Sequence, residues 1–131
     1  MNRRLMLTGF TMLVAVFLAP IKAHSAARLS FTDAAFDTAQ AAGRPILVDV
    51  FASWCPTCRA QKLTIDGMAE DPRMKEVVFF TVDFDNQKDV LRRLGVRSQS
   101  TLIVFNGRDE RGRATGIADP TQIRDLLLRA L

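Results

Sequence analysis

The segment Arg44–Ala52, RPILVDVFA, constrains this chain more than any other because it runs straight into Ser53-Trp54-Cys55-Pro56-Thr57-Cys58. Its compact, largely β-branched apolar run is that of a strand covered on both faces. Pro56 suits the first position of a helix, where the amide that proline lacks would have had no helical partner. The chain is therefore expected to leave a buried central strand and enter a helix at Cys55, with that helix running from Pro56 to Met68. Asp49 interrupts the strand. Between two layers of helices it has no wet side to turn to, and desolvation raises a buried carboxyl toward a pKa useful for proton transfer. The plainer alternative is a carboxylate that accepts hydrogen bonds at a strand end.

The remaining elements follow from periodicity and punctuation. From Phe31 a helix begins, with Thr32 as its cap and Asp33 in the first turn, and Gly43 ends it. A turn at Asp71-Pro72 leads into VVFFTVDF (Val77–Phe84), a second buried strand. Asn86–Leu94 reads as a helix with Val90, Leu91 and Leu94 on its apolar side, and Gly95 stops it. STLIVF (Ser100–Phe105) is a third strand, Asn106-Gly107 a turn, and Arg111–Ile117 a weaker fourth strand at the sheet edge. Asp119-Pro120 opens a last helix that lines up Ile123, Leu126, Leu127 and Ala130. The expected class is α/β, a central mixed β-sheet with helices on both faces and one core.

The N-terminal stretch has a different character. Arg3 and Arg4 precede an apolar run from Leu5 to Pro20, and small residues follow at Ser25-Ala26-Ala27, the pattern of an export signal. Residues 1–27 are expected to be a signal peptide and residues 28–131 the domain, with a cut after Ala26 as the alternative. The apolar run falls short of the roughly 20 residues of a comfortable bilayer span, which argues against an uncleaved anchor and keeps it only as a second alternative. Arg3-Arg4-Leu5-Met6-Leu7 also fits the twin-arginine form of signal, although paired arginines occur in ordinary leaders too. Of the 18 basic residues, Arg3, Arg4 and Lys22 leave with the leader, and none of the 14 acidic ones does. The near-balance of 15 against 14 that remains, with no basic run or interleaved aromatics, excludes a nucleic-acid footprint.

The chain has two cysteines, Cys55 and Cys58, and one histidine, His24, within the expected leader. A zinc site needs more ligands than two thiols, so no metal and no cofactor are expected, and a metal or cluster would have to be shared between two copies. As a staple the pair closes too short a loop to constrain much of the unfolded chain. As a redox pair it is well placed. Unpaired amide hydrogens at the helix start favour a thiolate at Cys55, and Cys58, one turn further in, can resolve a mixed disulfide.

ILVDVFASWCPTC, VDFDN, LGVRSQSTLIVFNGRDERGRATG and the terminal helix together resemble the thioredoxin family over Leu29–Leu131. The likeness is strongest to exported reducing members, in particular the C-terminal periplasmic domain of the thiol transporter DsbD, where a segment like TIDGMAEDPRMKE follows the CxxC helix. The resemblance implies a thioredoxin-like fold, Cys55 as nucleophile, Cys58 as resolving thiol and Asp49 as the buried acid. It places Trp54, Pro56, Ser100 and Thr101 on the substrate-facing surface and makes Gly116 the glycine that lets a partner chain approach. An ordinary edge-strand glycine is the other reading of Gly116.

Two positions depart from the family pattern. Thr81 stands where a lysine usually partners the buried acid. Ser100 stands where the family has a cis-proline. A cis bond before a residue other than proline costs about 2.5–4 kcal/mol, so the Gln99–Ser100 bond is expected to be trans and the loop to take another path. The resulting expectation is an exported, monomeric thiol–disulfide oxidoreductase of the periplasm or an equivalent compartment, which reduces protein disulfides through a mixed disulfide. Its partners would be protein thiols and disulfides, with a membrane thiol-reducing protein as candidate electron donor. The alternatives are a thioredoxin-fold binding or chaperone-like module with little turnover, which Ser100 supports, and a metal- or cluster-binding dimer.

Overall fold

The computed structural model describes residues 26–131; the expected leader and its export route lie outside these residues, apart from Ala26 and Ala27. Five strands form one sheet in the order β1-β3-β2-β4-β5. They are β1 (Ala27–Ser30), β2 (Pro45–Phe51), β3 (Val78–Asp83), β4 (Thr101–Asn106) and β5 (Asp109–Thr115). The first three run parallel, while β4 and β5 are antiparallel to their neighbours. The helices are α1 (Asp33–Ala41), α2 (Pro56–Ala69), α3 (Lys88–Leu94) and α4 (Pro120–Leu128), with one 3-10 turn at Pro72–Met74.

β2 lies in the middle, and its alternation divides the core. Ile46, Val48 and Val50 join Phe36, Phe80, Leu91 and Leu94 on the side of α1 and α3. Leu47 joins Ile65, Met68, Phe79, Leu102 and Ile123 on the side of α2 and α4. The period-two rule puts Asp49 on that second side too, directly beneath the helix that carries the cysteines. Local chemistry sets the element ends. The Thr32 hydroxyl accepts the Ala35 N–H at 3.2 Å, and Gly95 closes α3 at φ 64, a conformation that favours glycine.

A strand, β1, precedes the helix expected to open the domain. ARLS has no alternation to detect, because all four of its side chains are exposed, and only backbone pairing with Val78–Thr81 makes it a strand. The expected boundary after Ala27 falls inside this element. Ala26 is buried, and its N–H reaches the Ala69 carbonyl at the end of α2 at 3.3 Å. β5 also lies two residues earlier than expected, since its pairing with β4 starts at Asp109 against Asn106, directly across the turn.

Candidate redox site

Cys55 caps α2. Its backbone is extended (φ −91°, ψ 115°), and its sulfur accepts the Cys58 N–H at 3.1 Å. Burial pushes the Cys55 thiol up, but four hydrogen-bond donors outweigh it. The Cys58 thiol and N–H, the Ser100 hydroxyl and the Thr57 N–H leave the pKa below the ordinary thiol value. Cys58 is fully buried. Burial, then the hydrogen bond and charge of Cys55, push its thiol up to about 11, and its sulfur lies 3.8 Å from the Val50 carbonyl oxygen. The two sulfurs are thus chemically unequal: a thiolate-prone one just beneath the surface and a protonated one behind it.

Trp54 and Pro56 flank Cys55 on the surface, and Trp54 is 55% exposed. The Trp54 indole N–H donates to the Asp85 carboxylate at 3.0 Å, and the ring meets Phe84 edge-on. An exposed, tethered aromatic ring beside a reactive sulfur gives a passing polypeptide an apolar surface to rest on. Asp85 was not singled out from the sequence, since an exposed acid in a loop carries no periodic signal.

The loop before β4 faces the cysteines. No cis peptide occurs among the described residues, so Gln99–Ser100 is trans, and Ser100 takes the left-handed region at φ 55°. Its N–H donates to the Val50 carbonyl at 2.9 Å, and its own carbonyl accepts the Gly116 N–H at 2.9 Å. Gly116 itself has φ 76° with open space in front of it, so the left-handed backbone rather than crowding calls for glycine. Thr101 turns away from the surface expected of it. It is buried, and its hydroxyl donates to the Ser98 carbonyl at 2.8 Å and meets Thr115 at 2.9 Å, which fastens the loop to β5.

Asp49 is 4% exposed, and its Oδ1 has no hydrogen-bond partner. Burial raises its pKa to about 7, with Lys62 and Arg28 pulling it down and Asp66 pushing it up. Thr81 sits beside it in the sheet register, in the place expected for it. Where a long side chain is missing, a cavity of about 170 Å3 remains, lined by Asp49, Thr81, Phe79, Ile65, Arg28 and Lys62. The cations near Asp49 come instead from α2 and β1, where Lys62 and Arg28 both pair with Asp66. None of these three was picked out from sequence. Lys62 and Asp66 share the i,i+4 spacing of an ordinary surface pair. Neither oxygen of Asp49 bonds to Cys58. Among the described residues no group of three His, Cys, Asp or Glu comes together to hold a metal ion.

The family profile described as Thioredoxin matches residues 27–129. The chain belongs to the thioredoxin family. Thioredoxin-2 of Saccharomyces cerevisiae is 33% identical over 93 residues, covering 70% of this chain and 86% of that protein. Trxlp from Edwardsiella tarda EIB202 is 39% identical in sequence and superposes with a TM-score of 0.75 over 77% of this chain and 98% of its own. The thiol:disulfide interchange protein DsbD of Cronobacter sakazakii is 33% identical over 79% of this chain, a match that spans 20% of DsbD. As a member of the thioredoxin family, the chain joins a fold built around a strand–CxxC–helix unit to a closely spaced cysteine pair, the arrangement of a redox-active dithiol.

Proposed function

We propose that this thioredoxin-family protein is an exported reductant of protein disulfides, with Cys55 as nucleophile and Cys58 as resolving thiol. The inequality of the two sulfurs carries the reading: Cys55 is held below the ordinary thiol pKa at the start of α2, whereas Cys58 is buried and raised to about 11.

In the first step the Cys55 thiolate attacks one sulfur of a substrate disulfide. That S–S bond breaks, a mixed disulfide forms, and the departing thiolate takes a proton from water. In the second step Cys58 gives up its proton, and its sulfur attacks Cys55. The mixed disulfide breaks, the Cys55–Cys58 disulfide forms, and the second substrate thiol is released, so two electrons have passed to the substrate. Asp49, titrating at about 7, takes the proton in its ionised form. No direct bond joins it to Cys58, so a water bridging the two groups would have to carry that proton. Trp54 and the Ser100–Gly116 edge offer the surface on which a substrate chain rests.

Export is supported by the Arg3-Arg4 and Leu5–Pro20 pattern. The likeness to a thiol:disulfide interchange protein supports thiol–disulfide exchange; the reducing direction and a membrane thiol-reducing donor extend that reading from the resemblance of the CxxC helix and the TIDGMAEDPRMKE segment. Insulin reduction driven by dithiothreitol tests the reading. Wild type should turn over, Cys55→Ser should be inactive, and Cys58→Ser should stall after one mixed disulfide. A second reading, a binding or chaperone-like module, is favoured by Ser100, which puts a small hydroxyl where the family pattern has a proline ring. A wild type as inactive as Cys55→Ser would decide for it.

A further inference from the structure

The buried stripe of α2 runs Cys58, Gln61, Ile65, Met68 and Ala69. Gln61 is the polar amide in that row, and it is 0% exposed. Its Nε2 donates to two backbone carbonyls, Ser100 at 3.1 Å and Ile117 at 2.7 Å. Both partners are acceptors, so the amide has to present its hydrogens to them, and Oε1 is left buried without a partner. A leucine or methionine would fill similar space without stranding an acceptor. The two donated hydrogens are therefore what glutamine supplies here.

What they hold is unusual. Ser100 is the one non-glycine residue with positive φ among the described residues. L-residues other than glycine persist in that region when their surroundings over-determine them. Three bonds do so from three elements: Ser100 N–H to Val50 of β2, the Ser100 carbonyl to the Gly116 N–H beyond β5, and the same carbonyl to Gln61 of α2. The helix that carries both cysteines is thereby tied to the loop that faces them, and the Ser100 hydroxyl is among the groups that hold the Cys55 pKa down.

We propose that Gln61 is a positioning residue for thiol exchange: its amide clamps the Ser100 and Ile117 carbonyls and so holds the loop that carries the Ser100 hydroxyl against the cysteine-bearing helix. The clamp does with side-chain hydrogen bonds what a rigid ring at this position could not, since the left-handed backbone at Ser100 is closed to proline. The inference rests on the reading of Cys55 as the nucleophile, but its readout is separate from turnover.

The test is the reaction of reduced protein with iodoacetamide across pH, followed at Cys55 in a Cys58→Ala background. The variants are Gln61→Leu, Gln61→Met, Ser100→Ala and Gln61→Leu combined with Ser100→Ala. Loss of one hydrogen bond to a thiolate should lower the thiolate fraction at pH 7 about tenfold or more, with the titration midpoint moving up to match. Ser100→Ala and either Gln61 variant should each show that loss, and the double variant should be no worse than Ser100→Ala alone. Gln61→Met covers the case in which Gln61→Leu does not fold. An unchanged Cys55 titration in Ser100→Ala would overturn the proposal. So would an equal further loss when Gln61→Leu is added to Ser100→Ala, because Gln61 would then act by another route. A clamp confirmed here in a protein that fails to reduce insulin would remove the reductase reading and leave the clamp standing.

Discussion

Asp49→Asn should stabilise this protein at pH 8 and leave it nearly unchanged at pH 4. Burial moves the Asp49 pKa from 3.8 to about 7, so between those values the folded protein holds a proton that the unfolded chain has lost. Stability therefore falls as pH rises through that window, and the whole penalty is present above the folded pKa. At about 1.36 kcal/mol per pKa unit, the displacement corresponds to roughly 4 kcal/mol. Asparagine has nearly the same shape and no charge at any pH. At pH 4 it replaces a neutral carboxyl by a neutral amide, a change worth within about 1 kcal/mol. The hydrogen-bonded carboxylates Asp66, Asp71, Asp83 and Glu110 have lowered pKa values. Their contribution is present above the unfolded carboxylate range and lost in acid, in both proteins alike, so it cancels in the difference. Urea unfolding of reduced wild type and Asp49→Asn, followed by Trp54 fluorescence at pH 4, 5.5, 7 and 8, measures that difference. It should widen steadily up to pH 7 and then level. A difference that stays flat across the series would refute the buried, raised carboxyl.

Ser100→Pro should lower the denaturation midpoint, because proline cannot hold φ 55° and lacks the N–H that reaches Val50; a cost of about 2–4 kcal/mol is expected, and an unchanged midpoint would mean the loop relaxes freely. Cys58→Ser incubated with a model disulfide should accumulate an adduct that mass spectrometry places on Cys55, and a lack of adduct would remove Cys55 as nucleophile. N-terminal sequencing of the exported protein should begin within two residues of Arg28. Starts that keep Ala26 should prevail, since its side chain is buried beside the end of α2. An intact Met1 on protein from the soluble cytoplasm would end the export proposal.

The central strand, the helix started by Pro56 and the unequal cysteines were legible because each rests on local chemistry: an unbroken apolar run, a proline at a helix start, a thiol at its cap. β1 was not, because its side chains all face solvent and its existence depends on Val78–Thr81 alongside. Asp49 was readable as buried from a single charge in an apolar strand. Its counter-charges Lys62 and Arg28 come from elements that only the tertiary fold brings near it. The absence of proline at Ser100 foretold a trans bond, but not the left-handed backbone. The Ser100 carbonyl there accepts bonds from Gly116 and Gln61, residues distant in sequence whose bonds to Ser100 no spacing rule encodes. Gln61 did leave a trace, a polar residue in the apolar stripe of α2 three places after Cys58.

The equilibrium reduction potential of the Cys55–Cys58 pair, measured in dithiothreitol buffers, tests the proposed reductant most directly. A reductant should give a value nearer the roughly −270 mV of thioredoxin than the roughly −120 mV of a strong periplasmic oxidant. A potential above about −150 mV on the same scale would make this protein a donor of disulfides and contradict the account.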